Sequence, residues 1–241
     1  RWEKLTGRSP AVWPSFTVRR ANRVDDPFAP QREDMLREQI QRRGIRSVRV
    51  CDALRRTPRH EFVPPEHRGQ AYADGPLPIG HGQTISQPYI VALMTQLLSL
   101  TGDETVLEIG TGSGYQAAVL SLLARQVYTV ERIPALAQEA AARLERLGLA
   151  NVNVIEGDGS IGLPAYAPYD AVLVTAGAPQ VPAQLLEQLA LGGRLVLPVG
   201  PRYAQTLERW ERTPSGLEHE AVLPVAFVPL RGEEGWAENA F

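Results

Sequence analysis

Apolar stretches and helical patterns alternate through the middle of the chain. Residues 105–109 (TVLEI) form a short apolar run of the kind that makes a strand buried on both faces. A glycine-rich turn follows, and then a helical pattern over residues 115–123. The same alternation predicts further elements: strands at residues 126–131, 153–155, 170–175 and 194–198, and helices at residues 135–147 and 182–189. This order is typical of a mostly parallel sheet with helices on both faces.

The flanking regions have other patterns. Apolar residues at helical spacing predict three earlier helices, at residues 34–43, 48–57 and 89–98. Ser47 is the expected N-cap of the second of these helices. After residue 200 the helical patterns stop. Alternation over residues 206–212 and an apolar run over residues 221–230 predict a closing antiparallel hairpin with its turn at residues 213–216.

These patterns predict one α/β domain with a leading extension. Residues 1–30 are polar and proline-containing without a regular period. We expect an irregular extension that packs on the domain through Trp2 and Trp13 and is dispensable for chemistry. Residues 31–241 are expected to form a single Rossmann-like domain. Its parts are a helical N-terminal region with a long irregular loop, the core and the C-terminal strands, at residues 31–100, 101–200 and 201–241.

The turn after the first strand has glycines at alternate positions, Gly110, Gly112 and Gly114. Its spacing is G-x-G-x-G, whereas the dinucleotide fingerprint G-x-G-x-x-G seats a pyrophosphate. The tighter turn, preceded by Glu108, favours a ligand without a phosphate group, such as S-adenosylmethionine. We expect Glu108 to face the ammonium group of that cofactor.

Acidic residues stand at the ends of the next two predicted strands. Glu131 ends the strand about 20 residues after the turn, where an acid can bind ribose hydroxyls. Gly157 and Asp158 form a turn after the third strand. Because the carboxyl ends of parallel strands meet at one sheet edge, these residues and the glycine turn predict a nucleoside-binding site there.

Residues 71–88 are rich in glycine and proline and lack either regular period. A long irregular segment in a compact domain is often functional. Thr84, Ser86 and Gln87 offer hydroxyls and an amide just before a predicted helix. Ser86 is either a functional hydroxyl or a helix N-cap near Pro88, and the sequence leaves both interpretations open.

Composition excludes several function classes. The chain has 241 residues and a net charge of −2, so no strongly basic surface indicates nucleic acid. Cys51 is the single cysteine and is expected to be a core thiol. The four histidines are scattered, and we expect no metal site. No apolar run reaches the length of a membrane span, and the cytoplasm is the expected location.

The chain resembles the protein-L-isoaspartate O-methyltransferase family over residues 34–230. The matching segments are LPIGHGQTISQP, VLEIGTGSGYQ, VER, GDG and LPVG, at residues 77–88, 106–116, 130–132, 157–159 and 197–200. Many methyltransferases share the glycine motif, whereas QTISQP at residues 83–88 is much more specific to this family. The resemblance implies transfer of a methyl group from S-adenosylmethionine to the free carboxylate of L-isoaspartyl residues in damaged proteins. It also implies a cytosolic monomer.

The resemblance carries roles over to particular residues. Ser86 matches the serine treated as catalytic, Glu131 the ribose binder, and Asp158 with Gly157 the contact on the adenine side. The full expected cofactor set is Thr84, Ile85, Ser86, Glu108, Gly110, Thr111, Gly112, Ser113, Gly114, Glu131, Gly157 and Asp158. Three features depart from the family pattern. Residues 1–30 exceed the short N-terminus of the family, Tyr89 stands where some members have histidine, and the residues after Leu230 match no pattern.

The expected chemistry needs no general base, because a carboxylate acceptor is already anionic at neutral pH. Ser86 fits as a hydroxyl that orients the acceptor, since a covalent serine intermediate would need a partner base. Other functions remain open at this point. They are a carboxyl methyltransferase of a biosynthetic peptide or small molecule, a nicotinamide-dependent oxidoreductase, and a non-catalytic binding protein with the same fold.

Overall fold

The structure is a computed structural model, and it describes residues 26–237. Within this range the main elements are, in chain order, α1 (Ala29–Asp34), α2 (Val48–Arg56), β1 (Leu77–Gly80), β2 (Gln83–Ile85), α3 (Pro88–Leu97), β3 (Thr105–Ile109), α4 (Tyr115–Ser121), β4 (Gln126–Glu131), α5 (Pro134–Arg146), β5 (Val152–Glu156), β6 (Tyr169–Val174), α6 (Ala183–Glu187), β7 (Leu189–Val199), β8 (Gln205–Thr213) and β9 (Gly216–Val225).

Seven strands form one sheet in the order β5-β4-β3-β6-β7-β8-β9. The pairs from β5 to β7 are parallel, and β8 and β9 join the edge in antiparallel pairing. This topology confirms the predicted mostly parallel sheet with a closing antiparallel hairpin. The order reverses at β3, since β4 lies on one side of it and β6 on the other. A reversal of this kind opens a crevice at the carboxyl ends of the strands, which is where a ligand site is expected.

The central strands are apolar because both of their faces are covered. Along β3, Val106 belongs to the core on one face, and Leu107 and Ile109 belong to the core on the other. All three are at most 2% exposed. Buried residues of α2, α3, α4 and α5 fill the first face, while α6 and Leu230 cover the second. The continuous apolar run of β3 is thus the result of a sheet enclosed on both sides.

The N-terminal helical region differs in detail from its prediction. The first helix begins at Ala29 and continues as a π-helical stretch (Met35–Ile40) and a 3₁₀ turn (Gln41–Arg43). Gly44 ends it in the left-handed region at φ 94°, as the sequence indicates. Ser47 is the N-cap of α2, and its side chain accepts a hydrogen bond from the amide of Val50.

Several element boundaries were predicted wrongly. Residues 71–88 contain the two-stranded hairpin β1–β2, which the glycines and prolines of the segment obscure. Strand β7 starts at Leu189, before the glycine pair that suggested a turn, and α6 ends correspondingly early. Strand β9 runs from Gly216 to Val225, whereas the sequence predicts it over residues 221–230. The prediction misses its first half because that half is exposed and has no apolar run.

Residues 226–237, the C-terminal tail, fold back onto the sheet. The Gly177 amide donates to the carbonyl of Val228, and the Leu230 amide donates to the carbonyl of Gly177, at 2.7 and 2.8 Å. The indole Nε1 of Trp236 also donates to the Gly177 carbonyl, at 3.1 Å. The tail therefore lies at the carboxyl end of β6, beside the expected ligand crevice.

The described residues contain no helix that is both long and apolar enough to cross a membrane. They also contain no group of three or more His, Cys, Asp or Glu side chains arranged to hold a metal ion. Cys51 is buried in the core, as predicted.

Candidate active site

Two adjoining cavities open at the carboxyl edge of the sheet. The larger holds about 650 Å³ of space and the smaller about 420 Å³. Both are lined by Thr84, Gly110, Gly112 and Thr175, so these four residues form the boundary between them. Strand β2, the glycine turn after β3 and the residue that follows β6 therefore meet at one point.

The glycine turn is held by bonds within the protein. The amides of Gly110, Gly112 and Gly114 donate to the Val130 carbonyl, Glu131 Oε2 and the Thr111 carbonyl, at 2.9, 2.8 and 2.8 Å. None of these three amides is left to bind a phosphate oxygen. The glycine amides of this turn are therefore not available to seat a pyrophosphate.

Gly110 allows β6 to approach the turn closely. Its φ is 93°, and a Cβ placed on it would lie 2.4 Å from Thr175 Oγ1. The Thr175 hydroxyl fills that space and donates to the Gly110 carbonyl, at 2.6 Å. Any larger residue at position 110 would push the turn off the end of β6. Gly114 begins α4 at φ 85° and packs against Ala140 and Leu144, so it does not line either cavity.

Glu131 lies where the sequence predicts it, at the end of β4 in the wall of the larger cavity. One carboxylate oxygen accepts the Gly112 amide and the other accepts the Ile133 amide, at 2.8 and 3.0 Å. The side chain is 6% exposed. Each oxygen keeps a second lone pair, which a hydroxyl donor in the cavity can reach.

The segment Thr84–Ile85–Ser86 lines the smaller cavity. Ile85 is buried and pairs with Leu77 across the β1–β2 hairpin, which fixes the segment over the glycine turn. The N-cap of α3 is Gln87, without a side-chain capping bond, so the interpretation of Ser86 as a helix cap is wrong. Among the described residues, nothing accepts from or donates to the Ser86 hydroxyl, which leaves it available to a ligand.

Asp158 and Gly157 do not line either cavity; Gly159 lines the larger one instead. The Asp158 carboxylate accepts the amide and hydroxyl of Ser160 and the amide of Glu233 in the C-terminal tail, at 2.7 to 2.8 Å. Burial opposes ionisation of Asp158, but these hydrogen bonds outweigh it and hold its pKa below the usual value. In this structure Asp158 anchors the tail.

Glu108 lies behind the glycine turn, outside the lining of both cavities. It is fully buried, and burial raises its pKa to about 8. The Thr129 hydroxyl on β4 offsets part of this effect, and the charge of Glu131 adds to it. Neither carboxylate oxygen has a hydrogen bond of good geometry within the described residues. At neutral pH the Glu108 side chain is therefore mostly a neutral acid.

The structure thus brings together most of the predicted site. The cavity-lining members are Thr84, Ile85, Ser86, Gly110, Thr111, Gly112, Ser113 and Glu131. Sequence reasoning missed Thr175, although it directly follows β6 at the same edge. It also missed Tyr115 and Gln116, which begin α4 directly after the glycine turn. Glu108, Gly114, Gly157 and Asp158 support the site from outside the cavities, and ligand contacts by them stay predictions.

The chain matches the family model of protein-L-isoaspartate(D-aspartate) O-methyltransferase over residues 30–235. The chain belongs to this family. A relative from Synechococcus sp. (strain JA-2-3B'a(2-13)), a protein-L-isoaspartate O-methyltransferase, is 52% identical over 237 residues, 95% of this chain and 96% of the relative. A second, protein-L-isoaspartate O-methyltransferase 1 of Rhodopseudomonas palustris (strain HaA2), is 56% identical over 215 residues, 88% of each chain.

Solved structures of the family have the same fold. One protein-L-isoaspartate O-methyltransferase superposes with a TM-score of 0.76 at 31% identity, over 85% of this chain and 67% of the other. A Plasmodium falciparum homologue, solved in complex with S-adenosyl-L-homocysteine, has a TM-score of 0.72 at 24% identity, over 83% of this chain and 98% of the other. The likeness to the second structure supports the fold alone.

The family match also bears on the leading extension. The alignment with the Synechococcus relative covers 95% of the chain, so it reaches into residues 1–30. Part of that stretch therefore has a counterpart in at least one member of the protein-L-isoaspartate O-methyltransferase family, contrary to the expectation that it lies outside the family pattern.

Proposed function

We propose that this chain repairs damaged proteins by transferring a methyl group from S-adenosylmethionine to the free carboxylate of L-isoaspartyl residues. One observation supports this proposal and indicates which residues act. In a chain of this family, the unpartnered Ser86 hydroxyl, the glycine turn and Glu131 surround two adjoining cavities. The substrates are proteins and peptides that contain isoaspartyl residues.

The residues at the sheet edge suit S-adenosylmethionine. Glu131 offers carboxylate lone pairs to hydroxyl donors such as those of a ribose. The glycine turn has no free glycine amide for a phosphate and lets a ligand approach its backbone closely. We assign the nucleoside to the larger cavity, with Glu131 as its hydroxyl partner, and the remainder of the cofactor to the side of Thr84, Gly110 and Gly112. When bound, the cofactor supplies a methyl group activated by a sulfonium.

Ser86 is assigned the task of holding the acceptor. A carboxylate is anionic at neutral pH and needs no base to remove a proton. Its oxygen has to be aligned with the methyl group and shielded from water. The Ser86 hydroxyl can donate one hydrogen bond to that carboxylate. It is not a nucleophile, because no described side chain accepts its proton.

Release of the product completes the repair without further help from the chain. Methylation makes methoxide the leaving group at the carboxyl carbon. The following backbone nitrogen of the substrate attacks that carbon, the bond to methoxide breaks, and methoxide leaves with the amide proton as methanol while a succinimide forms. Hydrolysis of the succinimide gives aspartyl and isoaspartyl products. Repeated rounds convert the damaged residue, and the protein has only to select and methylate the isoaspartyl carboxylate.

The function is tested with a pair of peptides that differ only in whether one residue is isoaspartyl or aspartyl. The wild-type protein is incubated with each peptide and S-adenosylmethionine, and released methanol is measured after mild alkali. We expect turnover of the isoaspartyl peptide and at least about 100-fold less with its aspartyl twin. Equal turnover of the two peptides would exclude repair. Turnover of neither would favour a dedicated biosynthetic acceptor.

We further propose that the enzyme acts as a monomer in the cytoplasm. The support for this part is the family resemblance. Light scattering coupled to size exclusion measures the mass in solution, and a mass near 26.5 kDa for the purified chain is expected. Fractionation of cells that express the protein tests the location.

A further inference from the structure

Arg59 is a buried cation without an acidic partner. It opens a 3₁₀ turn (Arg59–Phe62) after α2 and is 0% exposed. Among residues 26–237, no carboxylate pairs with it, and its Nη1 has no hydrogen bond. Burial lowers the pKa of its guanidinium from the usual value, although an arginine stays protonated. An unpaired buried charge is costly, so its retention calls for a role.

The guanidinium joins the two ends of the irregular segment that precedes α3. Its Nε donates to the Ala71 carbonyl and its Nη2 donates to the Ser86 carbonyl, both at 2.7 Å. Ala71 and Ser86 bracket the whole β1–β2 hairpin. One planar side chain therefore closes this loop and fixes the Ser86–Gln87 peptide.

Tyr115 supports the guanidinium from the side of the cavity. The Arg59 Cζ lies 4.8 Å from the centre of the Tyr115 ring, and this ring also lines the smaller cavity. Cation–π contact in a buried setting compensates part of the missing ion pair. Phe62, in the same 3₁₀ turn as Arg59, packs edge-on against the Tyr115 ring. The Phe62 and Tyr115 rings therefore form an aromatic wall beside the guanidinium.

The Ser86 hydroxyl depends on this backbone bond for its direction. No described residue bonds to Ser86 Oγ, so within residues 26–237 no hydrogen bond holds the side chain itself. The backbone of Ser86 has one described side-chain partner, and it is Arg59. A hydroxyl that must orient an acceptor tolerates little displacement, since an error of about 1 Å can cost about 100-fold in rate.

We propose that Arg59 is a positioning residue for methyl transfer: by clamping the Ser86 carbonyl it aims the Ser86 hydroxyl into the smaller cavity. The proposal rests on the function proposed for Ser86. Arg59 does not touch the substrate and acts through Ser86 alone. Lysine cannot replace it, because a single ammonium cannot reach both carbonyls with the geometry of the guanidinium fork.

A double-mutant cycle tests the proposal, with kcat measured on the isoaspartyl peptide. We expect Arg59→Lys to lower kcat about 10- to 100-fold in the wild-type background. In the Ser86→Ala background the same change should lower kcat less than about threefold, because the group it positions is already gone. S-adenosylhomocysteine affinity, measured by calorimetry, should change less than about threefold, since Glu131 and the glycine turn stay in place.

The matched control is Val50→Ala in α2, which removes buried apolar volume from the same N-terminal region. It should lower the melting temperature while kcat stays within about twofold. If Arg59→Lys does not fold, Arg59→Gln enters the cycle, since it removes the charge and keeps a single donor nitrogen.

Several outcomes would overturn the proposal. Equal losses from Arg59→Lys in both backgrounds would show that it acts independently of Ser86. A loss of kcat no larger than that of Val50→Ala at the same melting temperature would show a structural role only. A wild-type kcat in Ser86→Ala would refute the role of Ser86 and with it that of Arg59. None of these results decides whether the enzyme has the repair function, which the isoaspartyl and aspartyl peptides test separately.

Discussion

The carboxylate of Glu131 is bonded to the amide of Gly112, with 2.8 Å between Oε2 and the nitrogen. Gly112 lies in the turn after β3 and Glu131 is the last residue of the neighbouring strand β4, so the bond ties the glycine turn to the end of β4. The other carboxylate oxygen of Glu131 accepts a hydrogen bond from the Ile133 amide at the start of α5. Glu131 therefore shapes the cavity as well as lining it, and its substitution should affect both stability and affinity.

Glu131→Gln should weaken binding of S-adenosylhomocysteine at least about tenfold, because an amide replaces a charged acceptor of hydroxyl bonds. The melting temperature should fall only slightly, since the amide oxygen can keep one backbone bond. The matched control is Glu156→Gln. Glu156 ends the neighbouring strand in register with Glu131 but lies outside the cavities. If calorimetry finds the same affinity for S-adenosylhomocysteine in both folded variants, Glu131 does not contribute to ligand binding.

Ser86→Ala should lower kcat strongly and leave the melting temperature nearly unchanged. Loss of a hydrogen-bond donor to the reacting group typically costs about 2 to 4 kcal/mol in the transition state. Ser47→Ala provides the opposite case, because Ser47 is a true N-cap. That variant should lose about 1 kcal/mol of stability with normal turnover. A Ser86→Ala protein with normal kcat would contradict the catalytic assignment.

Glu108→Gln should remove a pH dependence of stability. The folded-state pKa of Glu108, about 8, lies above the ordinary value of 4.5, so folding takes up a proton between these values. Stability is unaffected by this group below about pH 4.5 and falls as the pH rises towards 8, by at most about 1.4 kcal/mol per pH unit. The difference in unfolding free energy between Glu108→Gln and the wild type should therefore grow in favour of the variant from pH 5 to 8. Urea titrations at each pH measure it, and a constant difference would refute the buried neutral acid.

Gly232→Ala should loosen the C-terminal tail and weaken cofactor binding. A Cβ at position 232, where φ is 143°, would lie 2.0 Å from Asp158 Oδ1. The displaced tail would carry Leu230 and Arg231 away from the larger cavity that they line. We expect affinity for S-adenosylhomocysteine to fall about tenfold. Gly216→Ala, at φ 133° with open space around it, is the control for backbone strain alone and should keep the affinity.

Deletion of residues 1–25 should leave turnover within about threefold, because no cavity-lining residue precedes Gln83 in the described range. Trp2 and Trp13, expected to pack on the body, lie outside the described residues. Deletion of residues 1–30 should also lower the melting temperature, since Phe28 stacks on His60 with ring centres 4.2 Å apart. A folded 26–241 chain without activity would contradict the view that the extension is dispensable.

The sequence predicts the parts of the site that follow local rules. Glu131 and the glycine turn stand at strand ends, so the strand pattern alone locates them. The Ser86 segment was located by its irregular composition and by the family resemblance. The sequence alone does not decide whether Ser86 is a functional hydroxyl or a helix N-cap. The structure decides it, since α3 begins at Pro88, one residue later than an N-cap at Ser86 requires.

Other parts depend on contacts between residues far apart in the chain. The Asp158 carboxylate meets the Glu233 amide 75 positions later, and Arg59 meets the Ser86 carbonyl 27 positions later. No local period encodes such pairs. Strand β9 was misplaced for a related reason: as an exposed edge it needs no apolar face, and it is defined by its pairing with β8.

The C-terminal tail has a consequence for how the enzyme is made. It supplies Val228 and Leu230 to the outer wall of the larger cavity, and it docks on Gly177. During translation every strand of the sheet leaves the ribosome before this wall does. The outer wall is therefore the last part of the cofactor cavity to be synthesised. Proteolysis ahead of residue 228 would remove this wall while every strand of the sheet stays in the chain.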